Sequence, residues 1–469
     1  MACVKGDVDT TRLLLADSRV NPANSNNLCI RLACKRGHVD VVRLLLADDR
    51  IDPADDKNEA IRLACEFGHV DVVRLLLGDN RVNPADRNNL ALRWACTRGH
   101  IDVVCLLLAD SRINPADNDN EALLFSCANG YVDIVHLLLA DNRINPADRH
   151  NYAISRACAN GHIDVLRLLL ADSRINPAGD NNIVIREACA HGHADVVRLL
   201  LADSRVNPAD YNNDAIRWAC EKGHVYVVRL LLADPRVNPA DKNNSAIRVA
   251  CYYGHVYVVR LLLADPRVNP ADEDNSAILS ACICGHVDVV RLLLADSRVD
   301  PTVRDSQPIR DVCRARRTDI VRLLMADGRV NPAGCYNEAI KTACWHDDAK
   351  MLCLLLMDSR VDIRSFASEC HPRTCARDKL ICALFALAGI EPCCPTYGPL
   401  DPKVYNIDML RYWLRTRYVN LYKQDNEFRN GPYGVFLSHR LRIADLYGST
   451  VLVSRLPIEM IELVLVYMQ

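Results

Sequence analysis

Apolar residues along this chain fall into two alternating stripes. In the stretch beginning at Asn88, Ala91, Leu92, Ala95 and Cys96 lie at helical spacing on one face, and Val103, Val104, Leu107 and Leu108 follow as a second, broader stripe. Gly99 stands between them, and the polar run Ala109-Asp110-Ser111-Arg112-Ile113-Asn114-Pro115 closes the stretch. The pattern predicts two antiparallel helices and a finger-like loop. Asn89 is expected to cap the first helix, because its side-chain oxygen can accept from a backbone N–H of the first turn. Gly99 is expected to stop that helix in the left-handed conformation that costs glycine least. Asp110 suits an Asx turn, and Pro115 pushes Asn114 out of helical space.

The same pattern returns every 31 residues, with glycines at 6, 37, 68, 99, 130, 161, 192, 223, 254 and 285 in one register. A period of this length means that each unit buries its apolar face only against its neighbours. Within the unit stand Leu92-Arg93-Trp94-Ala95-Cys96 and Gly99-His100-Ile101-Asp102-Val103-Val104. These segments resemble the ankyrin repeat, which has Leu-His-Leu-Ala-Ala and Gly-His-Leu-Glu-Val-Val at those places. The resemblance implies an all-α, ankyrin-type helical repeat solenoid with a small, mostly helical C-terminal region, and a concave face that grips other proteins.

The chain departs from the family in two ways. Its unit is shorter than the usual length of about 33 residues, which predicts tighter fingers. The family's Thr-Pro before the first helix is missing except for Gln307-Pro308, and its His is usually Arg here: Arg31, Arg62, Arg93, Arg186, Arg217, Arg248 and Arg310. Most units therefore lack the residues of the usual Thr/His hydrogen-bond ladder.

Half of the 469 residues are apolar, an ample core, but a repeat array spreads it along an axis. A formal net charge of −2 gives no bulk attraction to nucleic acid or to an anionic membrane. Nothing at the start resembles a signal peptide, and the apolar stretch 380–390 is too short to span a bilayer. An intracellular protein, cytoplasmic or nuclear, is expected, in a host cell should the chain be viral.

The 22 cysteines do not suggest a disulfide framework. Cys3, Cys34, Cys65, Cys96, Cys127, Cys158, Cys189, Cys220, Cys251, Cys282, Cys313, Cys344 and Cys375 share one register. Equivalent helices of stacked units sit about 8–10 Å apart, beyond the roughly 7 Å between Cα atoms that a disulfide tolerates. They read as buried small hydrophobes in a reducing compartment.

Residues 1–361 are expected to hold twelve ankyrin-like repeats, the first truncated and frayed before about Asp9. The eleventh, 303–330, has Arg316-Arg317 where Gly-His belongs, and the twelfth, 334–361, has Asp347-Asp348. Residues 362–395 read as a degenerate thirteenth repeat acting as a cap, with Cys375 in register. From there, 396–469 is a C-terminal helical region richer in aromatic residues, ending in an amphipathic helix that opens at Pro457. Leu456-Pro457-Ile458-Glu459 and the aliphatic residues after it resemble the first helix of an F-box, though the chain stops where an F-box would continue. That arrangement is similar to viral ankyrin proteins that recruit host ubiquitin ligases. It implies Leu456, Pro457, Glu459, Ile461 and Leu465 as ligase-docking residues, toward a Skp1-type adaptor. Leu437-Ser438-His439-Arg440-Leu441-Arg442-Ile443 bears a fainter likeness to a SOCS box, which would dock an elongin-type adaptor. The plainer alternative is a helix folding back on the array.

No catalytic constellation is present in the sequence, and no cofactor is expected: there is no phosphate-binding Gly-rich loop, no Gly-x-Ser-x-Gly and no His-Glu-x-x-His. The repeated histidines that open the second helices read as capping or loop residues. Cys370, His371, Cys375, Cys382, Cys393 and Cys394 are the one plausible zinc cluster, but they contain no Cys-x-x-Cys pair, so no metal is expected. The recurring Asp/Arg pairs, from Asp17/Arg19 to Asp358/Arg360, read as a ladder in which each Asp accepts loop N–H groups and each Arg pairs along the stack.

Binding must then rest on what varies. The resemblance places the pair before each glycine on the concave face, with loop tips such as Lys57, Arg87, His150, Tyr152, Tyr211 and Lys242 beside it. Exposed aromatic and arginine side chains are the usual anchors of interfaces, which selects Phe67, Arg98, Tyr211, Tyr252 and Tyr253. Two functions remain: a non-enzymatic scaffold for an unidentified partner protein, or a substrate-recognition adaptor of a ubiquitin ligase.

Overall fold

The computed structural model describes residues 1–346 together with 348, 351, 354, 355, 358, 360 and 361. The described residues form helices joined by turns, with no strand among them, and divide into two units, Met1–Ala246 and Ile247–Gln469. Within each unit, first helices pack on first helices and second helices on second, as an all-α repeat solenoid requires.

One repeat shows why. In the first helix, Asp86–Arg98, the predicted stripe Ala91, Leu92, Ala95 and Cys96 is buried. In the second, Ile101–Leu108, Val103, Val104 and Leu107 are buried, while Leu108 stays partly exposed. Each fully buried Val or Leu contributes about 1.5–3 kcal/mol. The contribution recurs in every unit because the stripe does.

Gly99 ends the first helix at φ 81°, ψ 25°. A second constraint acts at this register. A Cβ on Gly37 would lie 2.5 Å from Nδ1 of His69, whose ring covers the glycine from the next unit. The His69 Nε2 donates to the Lys35 carbonyl at 3.0 Å, and His38, His100, His162, His193 and His224 repeat the bond 34 residues back. The histidines open the second helices without capping them. They bond one unit to the next.

The Asp/Arg ladder has the expected form. Arg112 N–H donates to Asp110 Oδ1 at 3.0 Å, and Nε and Nη2 grip the same carboxylate at 2.9 and 2.6 Å. The guanidinium also reaches the previous unit, donating to the Val82 carbonyl at 2.9 Å and the Leu77 carbonyl at 3.1 Å. These bonds hold Asp110 below the ordinary carboxylate range and raise Arg112.

Asn89 is not the N-cap that the sequence suggests. Arg87, Asn88 and Asn89 have φ near 55°, forming a left-handed turn, and the right-handed helix starts only after them. The Asn89 Nδ2 donates to Asp117 of the next unit, and its Oδ1 accepts from the Asn114 N–H at 3.4 Å. Asn58 and Asn213 do the same, accepting from the Asn83 and Asn238 N–H at 2.7 Å. Left-handed conformation costs most residues roughly 1–2 kcal/mol, and among non-glycine residues Asn the least, which accounts for the recurring Asn-Asn. The arginine that replaces the family's histidine holds this turn. Arg93 Nη2 donates to the Arg87 carbonyl at 3.1 Å, and Arg31, Arg62, Arg186 and Arg310 do likewise six residues back.

The cysteines of the register from Cys3 to Cys313 are buried and free. Burial pushes the Cys96 thiol up to about 12. The eleventh repeat survives losing Gly-His: Arg316 takes φ 59° in place of glycine, and the Arg317 side chain covers Gly285 as histidine does elsewhere. The proposed cap 362–395, the region 396–469 and the zinc candidates lie outside the described residues.

Candidate functional site: the first-helix ends and loop tips

Because the frame bonds recur in most units, the side chains left over define what can differ from unit to unit. They cluster at the C-terminal ends of the first helices and at the left-handed turns that precede those helices.

In the N-terminal unit, Phe67 is 43% exposed and lies under the Lys35 ammonium, 5.2 Å from the ring centroid. Glu66 accepts from Arg98 Nη2 at 2.9 Å, which fixes an otherwise exposed guanidinium beside that aromatic. Such an exposed pair is worth little in stability, roughly 0–1 kcal/mol, so its arrangement is available for recognition. Further along, the asparagines of the same register turn inward. Asn129 donates to the Thr97 and Phe125 carbonyls, and Asn160 to the Ala128 carbonyl.

Tyr211 sits at a loop tip at φ 56°, an unusual conformation for a bulky aromatic, and is 56% exposed. Two cations hold it, the Arg186 guanidinium at 5.1 Å and the Lys242 ammonium at 5.7 Å from the ring. Below it the buried Asp214 takes Arg217 at 2.8 Å and Lys242 at 3.6 Å. Aromatic face and two positive charges make this tip suited to an anionic group.

In the C-terminal unit, Tyr252 and Tyr253 form an edge-to-face pair with centroids 5.0 Å apart, and Tyr253 stacks on His255 at 6.3 Å. His286 holds the backbone beneath them through its bond to the Tyr252 carbonyl at 2.8 Å. Both rings are about half exposed. Pre-ordered rings lose little entropy on binding.

All five residues selected from sequence are thus at the surface with defined neighbours. Phe67 and Arg98 share one patch, Tyr211 is a separate tip, and the Tyr252–Tyr253 pair belongs to the other unit. The selection missed Tyr226 and Tyr257, which are 74% and 71% exposed on second helices. A signal for them existed: the other intact units carry Asp at this register, as in Asp40, Asp71, Asp102, Asp133, Asp164, Asp195 and Asp288.

Among the described residues no three His, Cys, Asp or Glu side chains converge as metal ligands, and no helix is long and apolar enough to cross a membrane.

The repeat geometry has a counterpart among known families. The family model for ankyrin repeats (3 copies) matches residues 1–88, 50–119, 92–179, 154–243 and 234–305. The chain belongs to the ankyrin-repeat family. A search of the curated proteins returned no match. Within the ankyrin family this chain keeps the Gly-His register and replaces the histidine of the first helix with an arginine that braces the left-handed turn.

Proposed function

We propose that this ankyrin-repeat protein is a non-enzymatic scaffold that grips a partner protein along the concave face formed by its first-helix ends and loop tips. Ankyrin repeats are protein-interaction modules, and the observation that supports this use of them is local. Exposed aromatic residues held by cations or by one another, Phe67, Tyr211, Tyr252 and Tyr253, occupy registers that vary while the frame registers do not. Aromatic and arginine anchors of this kind supply most of the energy in measured interfaces.

The test is affinity capture from cell extract with the full-length chain, quantified by mass spectrometry, beside a Phe67→Ala/Tyr211→Ala/Tyr252→Ala triple variant with unchanged helical content. A partner retained by the wild type and lost by the variant supports the reading. An identical set of captured proteins would overturn it.

A finer role, as a substrate-recognition adaptor of a ubiquitin ligase, rests on the F-box-like run Leu456-Pro457-Ile458-Glu459. In that role Leu456, Pro457, Glu459, Ile461 and Leu465 dock a Skp1-type adaptor. Co-purification of such an adaptor, lost on deleting 456–469, would support it. An elongin-type adaptor instead would shift the assignment to the SOCS-like run 437–443.

A further inference from the structure

Arg62 is the one arginine buried among the described residues, with 5% of its surface exposed. Its guanidinium donates through Nε to the Lys57 carbonyl at 3.1 Å and through Nη2 to the Asp56 carbonyl at 3.0 Å, and it rests on the Trp94 ring at 5.6 Å. Neither hydrogen bond uses Nη1, and no carboxylate lies within ion-pair distance. A buried cation without a counter-ion is costly, so the vacancy calls for an explanation.

Three units show an arginine of this register with a partner. The Nη1 of Arg31, Arg93 and Arg310 each takes a glutamate from the next unit, 28 residues on: Glu59, Glu121 and Glu338. Arg186, Arg217 and Arg248 have Asp214, Ser245 and Ser276 at that position, but none of them is as buried as Arg62. For Arg62 that position is Leu90. The seat of the absent carboxylate opens to solvent, because the side chains of Glu59 and Glu121 are 27% and 19% exposed in their own units. Leu90 itself is only partly buried.

The charges around Arg62 are of both signs. Arg87 is close enough that its charge, after burial, is the next influence holding Arg62 below its ordinary value, while Glu59, Asp56 and Asp86 act from longer range in the opposite sense. The side chains of Lys57 and Arg87 make no ion pair, whereas of the nearby acids Glu59 and Asp56 pair with Arg31, Glu66 pairs with Arg98, and Asp86 accepts from Asn58. One helical turn beyond Arg62 on the same helix come Glu66 and the exposed Phe67.

We infer that the N-terminal first-helix face binds an acidic segment of the partner protein, with one Asp or Glu carboxylate seated on Arg62 over Leu90 and an adjacent apolar side chain against Phe67 and Trp94. The inference rests on the scaffold reading and adds the chemistry of the partner. Arg62 offers an unused donor in a fixed, aromatic-backed fork, and the unpaired Arg87 beside it draws an acidic chain to the site.

A random-peptide display library selected on the full-length chain tests this, with the best peptide then resynthesised and its Kd measured. Selected peptides should carry Asp or Glu beside an apolar residue. Changing that acid to its amide should weaken binding about tenfold or more, the scale of a charge-assisted hydrogen bond. Arg62→Met should abolish the preference for the acid over its amide, and Arg62→Lys should restore only part of it. Because Arg62 also braces its turn, Leu90→Glu is the sharper variant. It supplies the glutamate that Arg31, Arg93 and Arg310 use, so it should leave the fold as stable as the wild type or more so, yet remove the acid preference. Peptides selected without acidic residues, peptides preferring phosphoserine over Glu by the same Arg62, or an acid preference intact in Leu90→Glu would each overturn the inference while leaving the scaffold standing. Peptides whose binding is unaffected by changes at Phe67, Tyr211 and Tyr252 would remove the scaffold reading and this inference with it.

Discussion

Asn58 carries the most informative single perturbation of the frame. It sits at φ 58°, ψ 38°, is buried, donates to Asp86 at 3.0 Å and accepts from the Asn83 N–H at 2.7 Å. In Asn58→Ala the bond to the carboxylate goes, worth about 1.5–3 kcal/mol, and the Asn83 N–H is left without a partner, worth about 1–3 kcal/mol. The left-handed conformation adds about 1 kcal/mol against alanine. Allowing for overlap, the expected loss is about 3–5 kcal/mol, concentrated at the junction of two units because each unit touches only its neighbours. Amide exchange read by mass spectrometry over the loop that contains Asn83 should accelerate about a hundredfold or more, at 1.36 kcal/mol per decade. Asn58→Gly separates the causes: it loses both bonds but tolerates the backbone, and should recover about 1 kcal/mol relative to alanine. Protection in Asn58→Ala within a factor of three of wild type would refute the account, and equal losses for Gly and Ala would remove the left-handed turn from it.

Three further outcomes follow from the same frame. Gly37→Ala should cost about 2 kcal/mol or more, from φ 74° and from the clash with His69; in Gly37→Ala/His69→Ala the clash is gone, so urea titration should give a double loss smaller than the sum of the single losses. The Cys3 thiol donates to Cys29 and lowers Cys29 to about 6, while Cys3 itself is raised by that bond; iodoacetamide at pH 7 should therefore modify Cys29 before the exposed Cys105, and Cys3→Ala should abolish the difference, as peptide mapping would show. The ladder carboxylates, Asp79, Asp110, Asp141 and their equivalents, are held below 3.8 by their arginines, so their contribution is present above about pH 4 and is lost as pH falls through the lowered folded values; urea midpoints should be flat from pH 7 to 5 and drop below about 4, and a chain equally stable at pH 3 would contradict the ladder.

What the sequence could and could not disclose follows from the range of the interactions involved. Gly99, the stripes Leu92–Cys96 and Val103–Leu107, and the Asp110–Arg112 turn obey rules that act within a few residues, so they were legible from spacing alone. Asn89 was misread because a local rule, N-capping, competes with bonds to residues 25 and 28 positions away, and a sequence pattern does not show which wins. The same holds for the arginine of the first helix, which looks like a lost histidine until the left-handed turn that it braces is seen. The surface residues were legible only in kind: aromatic and basic side chains at varying registers could be picked out, but their neighbours could not.

The exceptions to the period therefore carry more functional information than the period itself. Where Tyr226 and Tyr257 replace the recurring Asp, or Leu90 stands between units that have Glu59 and Glu121, the frame forgoes a charge that its neighbours use. At Tyr226 and Tyr257 the change is on an exposed helix face, where replacing one solvated side chain by another alters stability little. At Leu90 it leaves a buried guanidinium without an ion pair, compensated only at longer range by Glu59, Asp56 and Asp86, a change that costs stability unless something outside the chain supplies a closer charge. That difference in cost is why Arg62, the less visible of these sites, makes the stronger claim on a partner. It also separates the explanations: an Arg62 that only braces its turn would be relieved by Leu90→Glu with no effect on binding, whereas one that receives a partner's carboxylate would gain stability and lose selectivity together.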